Sequence, residues 1–201
     1  MKTENKTLIL GLDTCGETAS AALFDGESVI GEIKIKSGRS HSVIVTDMIA
    51  DVIALCRKDK TDLTGIAVSV GPGSYTGIRI GIAAALGLAF ALGIPIAPVS
   101  SLLGAASEGL CAVTKKARND LIYAALYQDF KPILSDFITT AYDFNTLLSE
   151  RNPEDITFID GNKITAAGII AAAVKNPELF GGAENVRAVY LEPTKAEKDL
   201  G

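Results

Sequence analysis

The chain has 201 residues, of which 48% are hydrophobic, 21% charged and 6% aromatic, with no Trp. That composition excludes a disordered or collagen-like chain and requires a core of closely packed Ala, Val, Ile and Leu. Nineteen Lys and Arg against 24 Asp and Glu leave a net charge of −5, so the chain as a whole is no electrostatic binder of nucleic acid, although a local patch stays open. The feature that needs explaining is a mean hydropathy of +0.29.

Lys2, Glu4 and Lys6 precede a short apolar run, Leu8-Ile9-Leu10, which is too short for a signal peptide. The three cysteines, Cys15, Cys56 and Cys111, are widely spaced and accompany a single His, which disfavours a disulfide framework and a Cys/His zinc site and fits a reducing cytoplasm. Residues 7–36 read as three strands, LILGLD, TASAALF and SVIGEIKIK, with the Asp25-Gly26 hairpin signal between the last two. Ser40 or Ser42 can cap a helix running to about residue 58, and residues 65–70 form a continuous apolar strand of the kind buried on both faces. A glycine-rich loop at 71–77, an apolar helix to Leu92 and a buried strand at 94–99 follow, so the first lobe reads βββαβαβ. Residues 80–99 carry no charge over the ~20 residues that span a membrane. Gly93 and Pro95 nevertheless stop the helix early, which predicts a buried helix and then a strand, with no membrane segment.

From Gly109 charges return. A strand pair is expected around 115–120 with 121–127 as its second arm, then a helix at 145–150, a strand at 156–159 and a helix at 165–175. Asn176-Pro177 and Gly181-Gly182 mark a linker, after which 187–191 returns the chain before a final helix at 194–200. Residues 1–108, completed by 188–201, are therefore read as the first lobe, and 109–187 as a reduced second α/β lobe. No repeat at a fixed period is visible.

Gly71, Gly73 and Gly77, with Ser74 and Thr76 among them, lie between a buried strand and a helix, where backbone N–H groups make an anion-receptive corner. No Gly-Lys-Ser/Thr follows, and the spacing is one residue too long for the dinucleotide fingerprint. The competing reading is a tight turn whose glycines permit close helix–strand packing. Arg79 is the one cation between Thr61 and Thr114, suited to a bound phosphate or to a structural tether. Asp13-Thr14 at the end of the first strand can hold a Mg²⁺-bound water and a phosphate, or close an Asx turn. His41, a lone imidazole, builds neither a metal site nor a triad and is read as a surface or interface residue. Lys115, Lys116 and Arg118 can touch a nucleic-acid backbone, yet no aromatic platform surrounds them and a charged hairpin tip is the plainer reading.

Along the first helix, Ile44, Val45, Met48, Ile49, Val52 and Ile53, with Leu55 and Cys56, cover about half the circumference, where one core face needs a stripe of roughly 100°. The second helix is apolar nearly all round, with small residues that allow close backbone approach. Together the two predict a subunit interface, formed by His41 and the first helix's apolar set with Ile82, Ala85, Leu86 and Ala89.

LILGLDTCGETASAAL, SHS, VSVGPGSYTGIRIGIAAALGLAFALGIPIAPVSSL and VYLEPTKAEKDL resemble the TsaB/YeaZ family, mainly over residues 7–105. The resemblance implies a two-lobed, actin-like (RNase-H-like) ATPase fold. It implies a non-catalytic scaffold that binds and activates a TsaD-like subunit in N6-threonylcarbamoyl modification of adenosine 37 in tRNA, with a TsaE-like ATPase joining. It also implies a homodimer when alone, tRNA met only through the complex, and ATP or ADP with Mg²⁺ accommodated at the subunit junction without being required. The HxxxH metal ligands of TsaD-like enzymes fall at Ser101 and Ala105, which cannot replace imidazoles. Val45-Thr46-Asp47 stands where many relatives have Leu-Leu-Pro, and Thr114-Lys115-Lys116-Ala117-Arg118 replaces an Asp-Ala-Arg-Arg segment. The alternative function is an actin-like small-molecule kinase using Asp13 for Mg²⁺ and the glycine loop for phosphate; a metal-dependent peptidase fails for want of ligands.

Overall fold

A computed structural model describes residues 7–36, 41–149 and 151–191. The meander predicted at the start is present: β1 (Ile9–Asp13), β2 (Thr18–Phe24) and β3 (Val29–Lys36) pair antiparallel. After α1 (His41–Leu55), β4 (Gly65–Ser69) adds parallel to β1, and after α2 (Tyr75–Leu92), β5 (Ile96–Val99) adds parallel to β4. The sheet order is β3-β2-β1-β4-β5.

A second sheet, β8-β7-β6-β9, is built from β6 (Leu110–Lys116), β7 (Leu121–Gln128), β8 (Lys131–Thr140) and β9 (Thr157–Asp160), with α3 (Ala141–Leu148) before β9. It repeats the plan of the first: a meander, a helix, and a strand parallel to the meander's opening strand. The two-lobed actin-like α/β arrangement is thus a duplicated unit, which no sequence repeat betrays.

The 18-residue α2 is long and apolar enough, by length and composition alone, to cross a membrane. It is instead one layer of this fold, packed on β4, β1, β5 and α1. The Ser74 hydroxyl caps its start by accepting from the Gly77 N–H at 3.2 Å. Gly93, at φ +64°, ends it in the left-handed conformation that glycine adopts without steric penalty.

Both faces of the first sheet are covered. Leu10, Leu12, Leu23, Ile66 and Val68 pack under Met48 and Val52 of α1 and Ala85 and Ala89 of α2. On the opposite face Ile9, Ala22, Ala67 and Val99 meet α4 (Ala166–Lys175), and the same cluster takes in Cys111, Val113, Ala125 and Tyr127 of the second sheet. The helix assigned from sequence to the second lobe therefore lies on the first sheet. Ala166, Ile169, Ile170, Ala172 and Ala173 are all buried, so α4 has apolar surface on more than one side and belongs between two layers. Its approach depends on Gly11, where an added Cβ would stand 2.5 Å from Ile170 Cγ1 and 2.6 Å from the Ala166 carbonyl oxygen.

From α4 onward the chain stays with the first lobe. Gly181 bridges to Ile96, and Val189 N–H donates to Val70 O at 2.8 Å. The helix expected at 194–200 lies outside the described residues. β8 was not foreseen, because Asp129 and Phe130 make the β7–β8 turn with φ of +50° and +63° and offer none of the Asn-Gly signal such a turn favours. α3 begins at Ala141 rather than 145, where the Thr140 hydroxyl accepts from Asp143 N–H.

Candidate functional site

The glycine-rich loop packs against the turn after β1, and the residues expected to meet a nucleotide build that packing. Thr14 is buried, and its hydroxyl donates to the Gly77 carbonyl at 2.6 Å. Ser74 N–H donates to Cys15 O at 3.0 Å, so the loop amides at 74 and 77 both have protein partners. A Cβ would fall 2.2 Å from Cys15 O at Gly73 and 2.0 Å from Thr14 O at Gly77. Gly71 has φ +105°, and a Cβ there would meet Val189 O at 2.5 Å. Thr14, Gly71, Gly73 and Gly77 thus build a close-packed corner, the tight-turn reading of the loop, while Ser74, which caps α2, and Thr76 are exposed.

Asp13 is 1% exposed, and its Oδ1 accepts from Cys15 N–H at 3.1 Å to close an Asx turn; its Oδ2 has no hydrogen-bond partner. Lys115, expected at a hairpin tip, is instead 5% exposed at the end of β6, and its Nζ donates to Cys15 O at 3.2 Å and Pro72 O at 3.1 Å. Strand alternation explains this, since Lys115 shares the inward face of β6 with Cys111 and Val113. A lysine two places beyond two core residues was the available signal, and placing it in a turn concealed it. Lys116 and Arg118 are exposed.

Burial pushes the Asp13 carboxyl above its usual range, opposed by the Lys115 ammonium, the Cys15 N–H and Ser69. The Cys15 thiol is pushed up to about 12, chiefly by burial and by Asp13, so it is an inert core thiol. A magnesium nucleotide does not fit this corner. Its one carboxylate and its hydroxyl are sealed from solvent, the Lys115 ammonium is already seated on Cys15 O and Pro72 O, and among the described residues no group of three or more His, Cys, Asp or Glu side chains gathers into a cation site.

A second polar contact joins the lobes and was missed together with β8. Asp136 accepts from the hydroxyls of Ser100, after β5, and Tyr127, on β7. Burial raises the Asp136 pKa despite those donors. Between the ordinary carboxylate pKa and the raised one, the folded state keeps a proton that the unfolded chain releases. The associated stability is therefore present at low pH and is lost as pH rises through the folded pKa. The melting-temperature advantage of wild type over Asp136→Asn should shrink in thermal melts as pH rises above the ordinary carboxylate range; an advantage that grows with pH would contradict the assignment.

Arg79 is exposed and held by aromatic rings. Its guanidinium carbon lies 3.9 Å from the Tyr75 ring centroid, and its Nε donates to Tyr190 Oη at 3.0 Å. The tether reading of Arg79 is realised through tyrosines rather than a carboxylate, and Tyr190 comes from so far along the chain that spacing could not pair them.

The α1/α2 surface also requires correction. Val45, Met48, Val52, Ile53, Ala85 and Ala89 are buried in the core beneath the helices and are not available to a partner. α1 is apolar over half its circumference because it packs on β2, β3 and α2 at once. Ile44, Ile49, Ile82 and Leu86 are half-buried, and the side chain of His41 lies outside those described. Exposed on α1 are Thr46, Asp47, Ala50, Asp51, Ala54 and Leu55, and exposed on α2 beyond Arg79 are Ala83, Gly87, Phe90 and Ala91. Phe90 is 88% exposed, Leu55 is 75% exposed, and a groove of about 300 Å³ lies along α1 and the turn after it, lined by Ile49, Ile53, Lys58, Asp59 and Lys60 with Leu88 of α2.

The family model described as "TsaD: tRNA N6-adenosine threonylcarbamoyltransferase" matches residues 30–177. The tRNA threonylcarbamoyladenosine biosynthesis protein TsaB of Bacillus subtilis is 35% identical over 147 residues, covering 71% of this chain and 63% of the relative. Escherichia coli TsaB is 33% identical over 129 residues, covering 60% of this chain and 54% of that protein. The solved structure of YeaZ from Pseudomonas aeruginosa superposes with a TM-score of 0.74 at 26% identity, covering 92% of this chain and all of that one. This chain belongs to the TsaB/YeaZ family. Its matches span about three-fifths of the length of these two TsaB relatives. Within the TsaB/YeaZ fold, the position that the resemblance aligns with the first ligand of HxxxH is Ser101, buried and donating to Pro72 O at 2.5 Å, and the second is Ala105.

Proposed function

We propose that this chain is a non-catalytic subunit in tRNA N6-threonylcarbamoyladenosine biosynthesis, binding a TsaD-type catalytic partner through the exposed face of α1 and α2 and acting in the cytoplasm. The observation that carries the reading is the solvent-facing side of α2, whose one charge is Arg79, near its start. A surface helix normally turns charged residues outward. Here Ala83, Gly87 and Ala91 leave room for another helix at close range, and Phe90 supplies an aromatic anchor. In a complex of this kind tRNA contacts the assembly rather than this acidic chain alone, and a TsaE-type ATPase joins it. The same face can pair two copies when the partner is absent. An anionic group at the junction would meet Arg79 and Thr76, not Asp13.

Ser101 and Ala105 support the non-catalytic part, because neither side chain can take an imidazole's place on a metal. Against the kinase alternative stand the packing of Thr14, Gly73 and Gly77 and the burial of Asp13.

The test is reconstitution of threonylcarbamoyladenosine synthesis from the cognate TsaD-type and TsaE-type subunits with and without this chain. Product formation is expected to fall at least ~tenfold on omission, the scale of losing about 1.4 kcal/mol of activation by a partner. Unchanged synthesis without the chain would remove the proposal.

A further inference from the structure

Actin-like folds place a cleft between their lobes, and here the facing surfaces share one core. Ile9, Ala67 and Val99 of the first sheet, Ile169 and Ile170 of α4, and Cys111, Val113 and Tyr127 of the second sheet belong to a single buried cluster. Outside that cluster, the buried Lys115 of β6 reaches from the second lobe to the turn after β1, which also carries the buried Asp13 carboxylate with its unpartnered Oδ2. Lys115 donates to two first-lobe carbonyls, Cys15 O and Pro72 O, one from each of the two loops that would have to part for a phosphate to enter. Its Nζ lies 3.0 Å from where a Cβ on Gly73 would be, so the loop closes directly over the charge.

We propose that Lys115 is a resident cation occupying the corner between the turn after β1 and the glycine loop, where a phosphate would have to enter, and that it pins the second lobe to the first so that the cleft stays shut with or without nucleotide. The physical basis is that an ammonium taken out of water costs free energy unless its hydrogen bonds are kept. Separating the lobes would strand two carbonyls and an ammonium and open the shared core along with them. The reading is independent of the partner assignment, because it is tested on the chain alone.

Hydrogen–deuterium exchange of the full chain, followed in peptides covering 10–16 and 70–78, tests it. With wild type, a large excess of MgATP should leave both peptides unchanged; protection of 70–78 by MgATP would overturn the proposal. With Lys115→Met, exchange in both peptides should accelerate at least ~tenfold, as expected for loss of a hydrogen-bonded buried charge that holds a local opening shut. Cys15 should also become reactive toward a thiol reagent that in wild type modifies the half-buried Cys56 first. Wild-type exchange rates at both peptides in Lys115→Met would overturn it equally. Because the MgATP arm uses wild type, the proposal stays open to refutation even if Lys115→Met fails to fold.

Discussion

Glutamate at Ala83 and Phe90 together should lower affinity for the TsaD-type partner by at least ~100-fold, since an unpaired carboxylate buried at an interface costs about 3–5 kcal/mol and every 1.4 kcal/mol is a factor of ten. The folded chain should scarcely notice. Both side chains are exposed, Phe90 at 88%, and glutamate is a good helix former, so the melting temperature is expected to stay close to that of wild type. The pairing of a large binding loss with unchanged stability is what distinguishes a docking face from a core. As a contrast, Val52→Ala, on the buried side of α1, should cost about 2 kcal/mol of stability and affect binding only through folding. Isothermal titration and thermal melts on the same preparations check both. Partner affinity unchanged in the Ala83/Phe90 double variant would move the interface elsewhere.

Gly77→Ala should destabilise the isolated chain by about 3 kcal/mol, the upper range for forcing a group into a packed site. The new Cβ would lie 2.0 Å from the Thr14 carbonyl oxygen, and backbone cannot rotate away as a flexible side chain can. Moving the helix start would also break the bond from the Thr14 hydroxyl to Gly77 O. Thr76→Ala, one residue away but exposed, should change stability by no more than about 0.5 kcal/mol. Urea unfolding of both variants separates a packing corner from a phosphate loop. If the glycines served a ligand, Gly77→Ala would unfold at the wild-type midpoint in its absence. A wild-type midpoint for Gly77→Ala would therefore sink the packing account.

The signals that proved sufficient in the sequence were local ones. Alternation and the Asp25-Gly26 turn marked the opening meander, continuous apolar runs marked β4 and β5, and Gly93 marked the end of α2. The long motif around Gly71 to Gly77 indicated the family for the same reason, being contiguous. Its chemistry was not legible in the same way, because glycine required for close packing and glycine required for a phosphate look alike until the neighbours are in place. The breadth of the apolar stripe on α1 misled in a similar way. Circumference shows that a helix is covered on several sides, and only the structure shows that the sheet and α2 do most of the covering, leaving Ala83, Gly87 and Phe90 of α2 outside.

The composition carried one further message. A mean hydropathy of +0.29 with few aromatics is what a chain needs to fill a core in which α4 is buried between two sheets, in addition to carrying an apolar outer face on α2. Sequence alone determined the strand–helix order of the first lobe, the absence of a second histidine and the family. Tertiary structure alone decided that α4 crosses to the first sheet, that Lys115 turns inward to Cys15 and Pro72, and that Tyr190 holds Arg79. Those contacts join residues as far as 146 positions apart, as where the Ala166 N–H of α4 donates to Ser20 Oγ, and nothing in the local propensity of either segment encodes which distant surface will cover it.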